Sequence, residues 1–327
     1  DQGYNDLKRF ISLAALNLTN CSSHLNSCIQ NANFILSKSR AFYLSRRYRG
    51  EFVDYLNNLN SSCLLKELNF QYVTEEQLTA KLKKLDRNIE LSVFHMNIRS
   101  LNSKQRQICQ LFELLDYEFD VVILTEIWTV NIHFYANLFT GYDFYYDLPQ
   151  DSKVGGVGLF IRNTCTVHEL PQYQILSTRT SVVENKWVEV TKESRKYIIG
   201  GIYRHPNQNI ADFTSLLEPV LNSISDQKLP CIIAGDINID LTKSRVNENT
   251  SRYVDSLLTN NFLPTVLMPT RITPSSATLI DHMYYFDGCG SQNKVAQSGN
   301  LLADISDHLA NFMLILHDKM EPAKRPK

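Results

Sequence analysis

Residues 230–240 read PCIIAGDINID. Cys231, Ile232, Ile233 and Ala234 form an unbroken apolar run, as in a strand buried on both faces, and the Gly235 that follows is read as a point where the backbone turns tightly. Asp236 and Asn238 then sit at the end of a central strand. In a layered α/β protein a strand end holds side chains rigidly while still meeting solvent, so polar residues there are candidates for chemistry. The bland alternative is a strand running into an ordinary Asp-containing turn.

The chain has 327 residues, 43% hydrophobic and 20% charged, enough for one large globular domain plus an appendage. No apolar run approaches the length of a membrane span. The best N-terminal stretch, 11–18, is short and broken by Ser12 and Asn17, so neither a signal peptide nor a membrane partner is expected. Seven cysteines without a repeated spacing make no disulfide framework and suit a reducing compartment, and Cys21, His24, Cys28 and Cys63 lack a usual zinc spacing. Residues 1–90 carry 12 Lys+Arg against 9 Asp+Glu and the remainder 21 against 25, so no strongly basic domain announces nucleic acid.

Residues 1–88 read as a helical extension of unknown role, with periodic apolar residues over 41–59 and a capping-box pattern at Thr74 and Gln77. From 89 the texture changes to short β-like runs. Strands are predicted at 91–96, 121–125, 142–146, 157–161, 186–190, 197–203, 231–234, 282–286 and 312–316, with helices at 104–116, 213–224 and 252–260. So many strands with few intervening helices argue for an α/β sandwich of two mainly antiparallel sheets. The domain is placed at 89–318, and residues 319–327, charged with two prolines, read as a tail or linker.

The predicted strand ends line up a set of polar residues. They are Asn97, Glu126, Tyr203 with Arg204, Asp236 with Asn238, Asp281 opening one apolar run, and Ser306, Asp307 and His308 before the last. Each alone has a bland reading: Asn97 and Asn238 as turn residues, Tyr203 as a core aromatic, His308 as a satisfied buried histidine. A carboxylate such as Glu126 at a buried strand end is harder to dismiss, because desolvation penalises it unless it is paired. His95, His133, His168, His205, His282 and His317 are left to the bland reading, and GGVG at 155–158 reads as a strand start.

Taken in order, HMNIRSL, LTEIW, GIYRHPN, GDINID, TLIDH and ISDH resemble the motifs of the endonuclease/exonuclease/phosphatase family over about residues 89–318. NIRSLN, TEIW, GGVGLFIRN, IYRHPN, GDINIDL, PTR and LIDH look closest to one branch, the endonuclease of LINE-type (non-LTR) retrotransposons. The resemblance implies a four-layered α/β sandwich, with the two sheets flanked by helices, and a phosphodiesterase dependent on Mg²⁺, or Mn²⁺ in its place. It implies Glu126, Asn97 and Asp307 as metal residues. Asp236 would position and deprotonate the water, with the His308–Asp281 pair the alternative base. Asn238 would hold the water or a phosphate oxygen, Tyr203 a non-bridging oxygen, and His308 would donate to the phosphate with Asp281 fixing its ring. Thr270, Arg204 and Ser306 would bind substrate. The expected partner is target-site duplex DNA, together with a reverse transcriptase domain or element RNA, and a nuclear or cytoplasmic and nuclear location follows from that function alone.

Two departures narrow this. Many abasic-site enzymes carry an acid where Arg99 stands, and an aromatic residue where Thr278 stands, so nicking of intact DNA fits better than damage recognition. An inositol or lipid phosphatase of the same fold and a non-catalytic interaction module are the alternatives.

Overall fold

The computed structural model describes residues 52–53, 55–56, 69–129, 131–149, 153–273, 276–288 and 296–317. The four cysteine and histidine positions considered for zinc, the tail 319–327 and most of the helix expected at 41–59 lie outside them. Of that helix, Phe52 and Leu56 are buried, and the Tyr55 hydroxyl donates to Asp255 (2.9 Å).

The strands are β1 (Asn69–Val73), β2 (Ile89–Asn97), β3 (Val121–Thr125), β4 (Tyr142–Asp147), β5 (Val157–Arg162), β6 (Thr166–Glu169), β7 (Val183–Lys192) and β8 (Arg195–Arg204). They continue with β9 (Cys231–Asp236), β10 (Leu263–Pro264), β11 (Arg271–Ile272), β12 (Ala277–Thr278), β13 (Asp281–Phe286), β14 (Ala296–Leu301) and β15 (Ala310–Leu316). Four described helices are α1 (Glu75–Leu85), α2 (Leu101–Leu115), α3 (Ile210–Gln227) and α4 (Glu248–Thr259). One sheet has seven strands in the order β1-β14-β15-β2-β3-β5-β4, the other six in the order β10-β13-β9-β8-β7-β6. Pairing is antiparallel except at β1/β14, β2/β3 and β8/β9.

Two apolar clusters make this a four-layered sandwich. Side chains alternate between faces along each strand. On β2, Leu91 and Val93 face the second sheet, where they meet residues such as Ile199, Ile202 and Met283, while Phe94 and Met96 face Ile108, Leu111 and Leu115 of α2. The outer face of the six-stranded sheet is covered by α3 and α4 through Phe213, Leu217, Leu221, Tyr253 and Leu257. The Thr74 capping box on α1 forms as the sequence predicts, with reciprocal bonds of 3.0 and 3.3 Å between Thr74 and Gln77. No described helix is long and apolar enough to cross a membrane.

Two sequence expectations change. Residues 69–73, read as part of a helical extension, instead form β1, parallel to β14 at the sheet edge. That pairing was hidden because β14, AQSGNL, has no apolar run; its buried side chains Ser298 and Asn300 are polar and satisfied by the carbonyls of Thr265, Met268 and Pro269. Gly235 is not a turn either, since β9 continues through Asp236. It is glycine because β8 runs too close: a Cβ there would stand 1.7 Å from the Ile202 carbonyl oxygen.

Candidate functional site

Period two carries the interior of the sandwich from apolar to polar as β2 and β3 reach their C-terminal ends. After Leu91 and Val93 the same face of β2 presents His95 and then Asn97, and β3 follows Val121 and Ile123 with Thr125. His95, fully buried, is satisfied by Asn311 Oδ1 (3.0 Å) and Thr125 Oγ1 (3.2 Å). This polar layer is the floor of the candidate site.

Above it Asn97 joins the two sheets. Its side-chain amide donates to Glu126 Oε1 (2.8 Å) at the end of β3 and to Asp236 Oδ2 (2.7 Å) at the end of β9, while its Oδ1 accepts the Arg99 N–H (3.1 Å). Asp236 also accepts the Asn238 N–H (3.1 Å), and Asn238 Nδ2 donates to the Arg204 carbonyl (2.9 Å). β13 pairs antiparallel to β9 with Asp281 directly opposite Asp236. Asp281 accepts from Thr270 Oγ1 (2.6 Å) and pairs with His308 Nδ1 at 2.8 Å, so Nε2 is the ring atom that Asp281 does not engage. Glu126, Asn238, Arg99 and Ser100 all have φ between 45° and 87°. Left-handed backbone at four non-glycine residues around one cluster is strain held by the surrounding fold, which concentrates at functional sites.

Burial and mutual repulsion set the protonation states. Burial, reinforced by the Asp281 charge, pushes Asp236 up to about 8, with His308 and Asn97 pulling back. Burial would lower His308, but the Asp281 carboxylate overrides it and raises the imidazole to about 9. Asp281 itself is raised by burial and lowered more by His308, and ends below its ordinary value. Tyr203 is held well above the usual phenol range by burial and by the charges of Glu126 and Asp236, so it keeps its proton as a donor.

The structure thus brings Asn97, Glu126, Tyr203, Asp236, Asn238, Asp281 and His308 together, as the strand ends predict. Four other expected site residues are placed differently. Arg204 is 1% exposed, its guanidinium bonded to the carbonyls of Ile237 (3.2 Å), Asn238 (3.3 Å) and Gln208 and lying over the Phe213 ring, so it staples loops and does not face a substrate. Ser306 Oγ donates to the Asn97 carbonyl (2.7 Å) and accepts the His308 N–H (3.1 Å), tying the last loop to β2. Thr270 is fully buried beneath Asp281, and its oxygen also accepts the Asp281 N–H (3.0 Å). Asp307 has both oxygens taken, Oδ1 by Arg99 (2.8 Å) and Oδ2 by Arg271 through Nε (2.9 Å) and NH2 (2.8 Å).

Sequence reading missed one pair at the rim. Glu184 lies across from Tyr203 in the β7/β8 register and binds His205 Nε2 at 2.9 Å, with the His205 ring 4.9 Å from that of Tyr203. Register alone brings Glu184 here, and no spacing in the sequence signals it. The other core histidine of note, His282, is satisfied by Tyr253 and the Ile239 carbonyl, as the bland reading held.

A site rich in carboxylates, one of them (Glu126) only partly buried, suits a hard divalent cation of the Mg²⁺ type, which keeps several waters and is held by one or two carboxylates plus phosphate. Glu126 is the direct candidate ligand. Asn97 turns its amide nitrogen to Glu126 and Asp236, so it orients that carboxylate. Asp236, Asp281 and His308 also have donor atoms within 4.8 Å of one another, but two of them are spent on each other.

The sequence profile of the endonuclease/exonuclease/phosphatase family matches residues 94–308. No curated protein sequence matches the chain. Similar solved structures include an endonuclease/exonuclease/phosphatase family protein from Bacteroides thetaiotaomicron, at 15% identity and TM-score 0.54 over 70% of this chain and 95% of that one. Another is the endonuclease domain of TRAS1, a telomere-specific non-LTR retrotransposon, at 14% and 0.51 over 69% and 98%. A third is a mannosyl-6-phosphatase of Bacteroides thetaiotaomicron, at 14% and 0.51 over 70% and 100%. At these identities the likeness is one of fold.

Proposed function

Because the chain belongs to the endonuclease/exonuclease/phosphatase family, a family of hydrolases that typically use divalent metals, we propose that it is a Mg²⁺-dependent endonuclease. In this reading it nicks one strand of target duplex DNA to prime insertion of a retroelement, by which it is encoded or from which it derives, with a reverse transcriptase domain or element RNA as partner. The observation that carries the reading is the convergence of Glu126, Asp236, Tyr203 and the His308–Asp281 pair around Asn97, in a chain whose motifs resemble the retrotransposon branch.

Hydrolysis of a phosphodiester needs an activated water, stabilisation of the phosphoryl oxygens and in-line departure of the leaving oxygen. Asp236 is the base. At about 8 it holds a proton on most molecules at neutral pH, and its ionised fraction, with its raised affinity for a proton, is the acceptor; the Asn97 and Asn238 N–H groups fix the carboxylate. His308, raised to about 9, is protonated at neutral pH and is therefore a donor to a phosphoryl oxygen through Nε2; Asp281 fixes the ring from the other side. The protonated Tyr203 hydroxyl donates to a second non-bridging oxygen. A divalent cation held by Glu126 would supply Lewis-acid stabilisation of the phosphoryl and leaving oxygens. As water adds to phosphorus, its proton passes to Asp236 and the bond to the 3′ oxygen breaks; the departing oxygen takes a proton from solvent, leaving a 5′-phosphate and the 3′-hydroxyl that a polymerase extends.

Plasmid nicking tests this with Mg²⁺, with EDTA, and with folded Glu126→Ala, Asp236→Ala and His308→Ala variants. The wild type should nick in Mg²⁺ only, and each variant should lose on the order of a hundredfold or more. A folded, metal-loaded wild type that leaves supercoiled DNA intact while turning over an inositol phosphate would replace the nuclease with a phosphatase.

A further inference from the structure

The contact between Arg99 and Asp307 was not expected from the sequence, in which Asp307 is a metal candidate and Arg99 merely stands where many relatives of the abasic-site type have an acid. In the structure Arg99 from the β2–α2 loop and Arg271 from β11 grip Asp307 from both sides, with three N–H donors within 2.9 Å of its two oxygens. Arg271 also bridges to His308 through the backbone, so this group is fastened to the His308 side of the site. The charged form of Arg99 is favoured first by its bond to Asp307 and further by the nearby Glu126 carboxylate, which puts its guanidinium at the edge of the reaction centre.

Most surface ion pairs are incidental and contribute little. Three features separate this one. Arg99 and Ser100 take left-handed backbone (φ 45° and 87°), a strain that aims the side chain, and the Arg99 N–H fixes the Asn97 amide that organises the centre. Two guanidiniums on one carboxylate leave a net positive charge beside a cluster rich in acids. Both arginine side chains are about two-fifths exposed, at 43% and 38%, and the three bonds to Asp307 use only part of their N–H donors.

We propose that Arg99 and Arg271, braced on Asp307, form a guanidinium clamp for a phosphate of the substrate backbone at the reaction centre, and that Asp307 serves the clamp and is not a cation ligand. Arginine forks match phosphate oxygens bidentately, and a guanidinium beside the cation site supplies positive charge that a further ligand carboxylate would remove. The proposal rests on the nuclease reading for its phosphodiester. It predicts that the cation is held by Glu126 without help from Asp307.

Two measurements test it. In the first, wild type, Arg99→Gln, Arg99→Lys and Arg271→Gln are compared for binding to a duplex oligonucleotide by fluorescence anisotropy in Ca²⁺ over a range of salt, and for plasmid nicking in Mg²⁺. Loss of one phosphate contact should lower the slope of log affinity against log salt by about 0.9 for each glutamine variant, with nicking down on the order of tenfold or more. Arg99→Lys should recover the salt slope but not the full rate, because a lysine keeps the charge without the fork. In the second, Mn²⁺ affinity is measured by electron paramagnetic resonance. Asp307→Asn should stay within about twofold of wild type while Glu126→Gln falls at least about tenfold.

A wild type that neither binds nor nicks duplex DNA overturns the nuclease reading and the clamp with it. A wild type that nicks, alongside Arg99→Gln and Arg271→Gln proteins with unchanged slope and rate, overturns the clamp alone. Asp307→Asn losing Mn²⁺ as severely as Glu126→Gln also overturns it, because Asp307 is then a ligand.

Discussion

Thr270 offers the sharpest test of the site's architecture, because its sequence-based role and its place in the structure predict different defects. Substitution Thr270→Val keeps the shape and removes the hydroxyl. That oxygen donates to Asp281 Oδ2 at 2.6 Å and accepts the backbone N–H groups of Asp281 (3.0 Å) and Ile280 (3.3 Å), all in a fully buried setting. A hydrogen bond to a charged group contributes about 1.5–3 kcal/mol, and leaving buried donors without partners costs a further amount of similar size, so a loss of about 2–4 kcal/mol in unfolding free energy is expected after some relaxation. Part of the loss reaches catalysis, since Asp281 holds the His308 ring. If about 1.4 kcal/mol of it is felt in the transition state, kcat falls about tenfold while KM stays near wild type. Thr270→Ser restores the oxygen and should recover most of both losses, falling short by about 0.8 kcal/mol in stability for the missing methyl. Urea unfolding and steady-state nicking measure the two effects. If Thr270→Val unfolds like wild type and shows only a raised KM, Thr270 meets the substrate phosphate and its placement beneath Asp281 does not describe the working enzyme.

Arg204→Lys should lower stability by about 3 kcal/mol, since its charged bonds to loop carbonyls are worth about 1.5–3 kcal/mol each, and should leave KM unchanged where the protein is folded; thermal melts with kinetics at low temperature check both. Gly235→Ala should prevent folding or cost more than about 4 kcal/mol, because the added methyl meets the rigid Ile202 carbonyl on the neighbouring strand, and yield of soluble protein with its melting temperature is the readout. His282 is lowered to about 4 by burial, against pull from the Ile239 and Leu279 carbonyls. Since the unfolded chain binds the proton more readily, the stability tied to neutral His282 is present above about pH 6.5 and lost as pH falls towards 4, by about 3 kcal/mol in all. Urea unfolding at pH 7, 5.5 and 4 should show that slope in the wild type and a shallower one in His282→Gln; equal slopes would remove His282 as the cause.

The sequence by itself determined the parts that local chemistry writes plainly. Apolar runs such as CIIA and VVIL, short and bounded by polar turn residues, read as strands sealed on both faces, and the polar residues that end such strands, Asn97, Glu126 and Asp236, meet where those strand ends face each other across the two sheets. The Thr74 capping box was legible because all its atoms lie within one turn of helix. Strand β14 was not, because its buried Ser298 and Asn300 depend on carbonyls some thirty residues away, at Thr265, Met268 and Pro269, and no pattern along AQSGNL records those partners. The same limit applies to the charged side chains. Whether Asp307 meets a cation or two arginines, and whether Arg204 faces solvent or the underside of a loop, is set by register and loop path, which bring together residues such as Arg99 and Asp307, 208 positions apart. A residue's type fixes what chemistry it can do; the tertiary structure decides which partner it spends that chemistry on, because long-range electrostatics and hydrogen bonding act through space and leave no periodic trace along the chain.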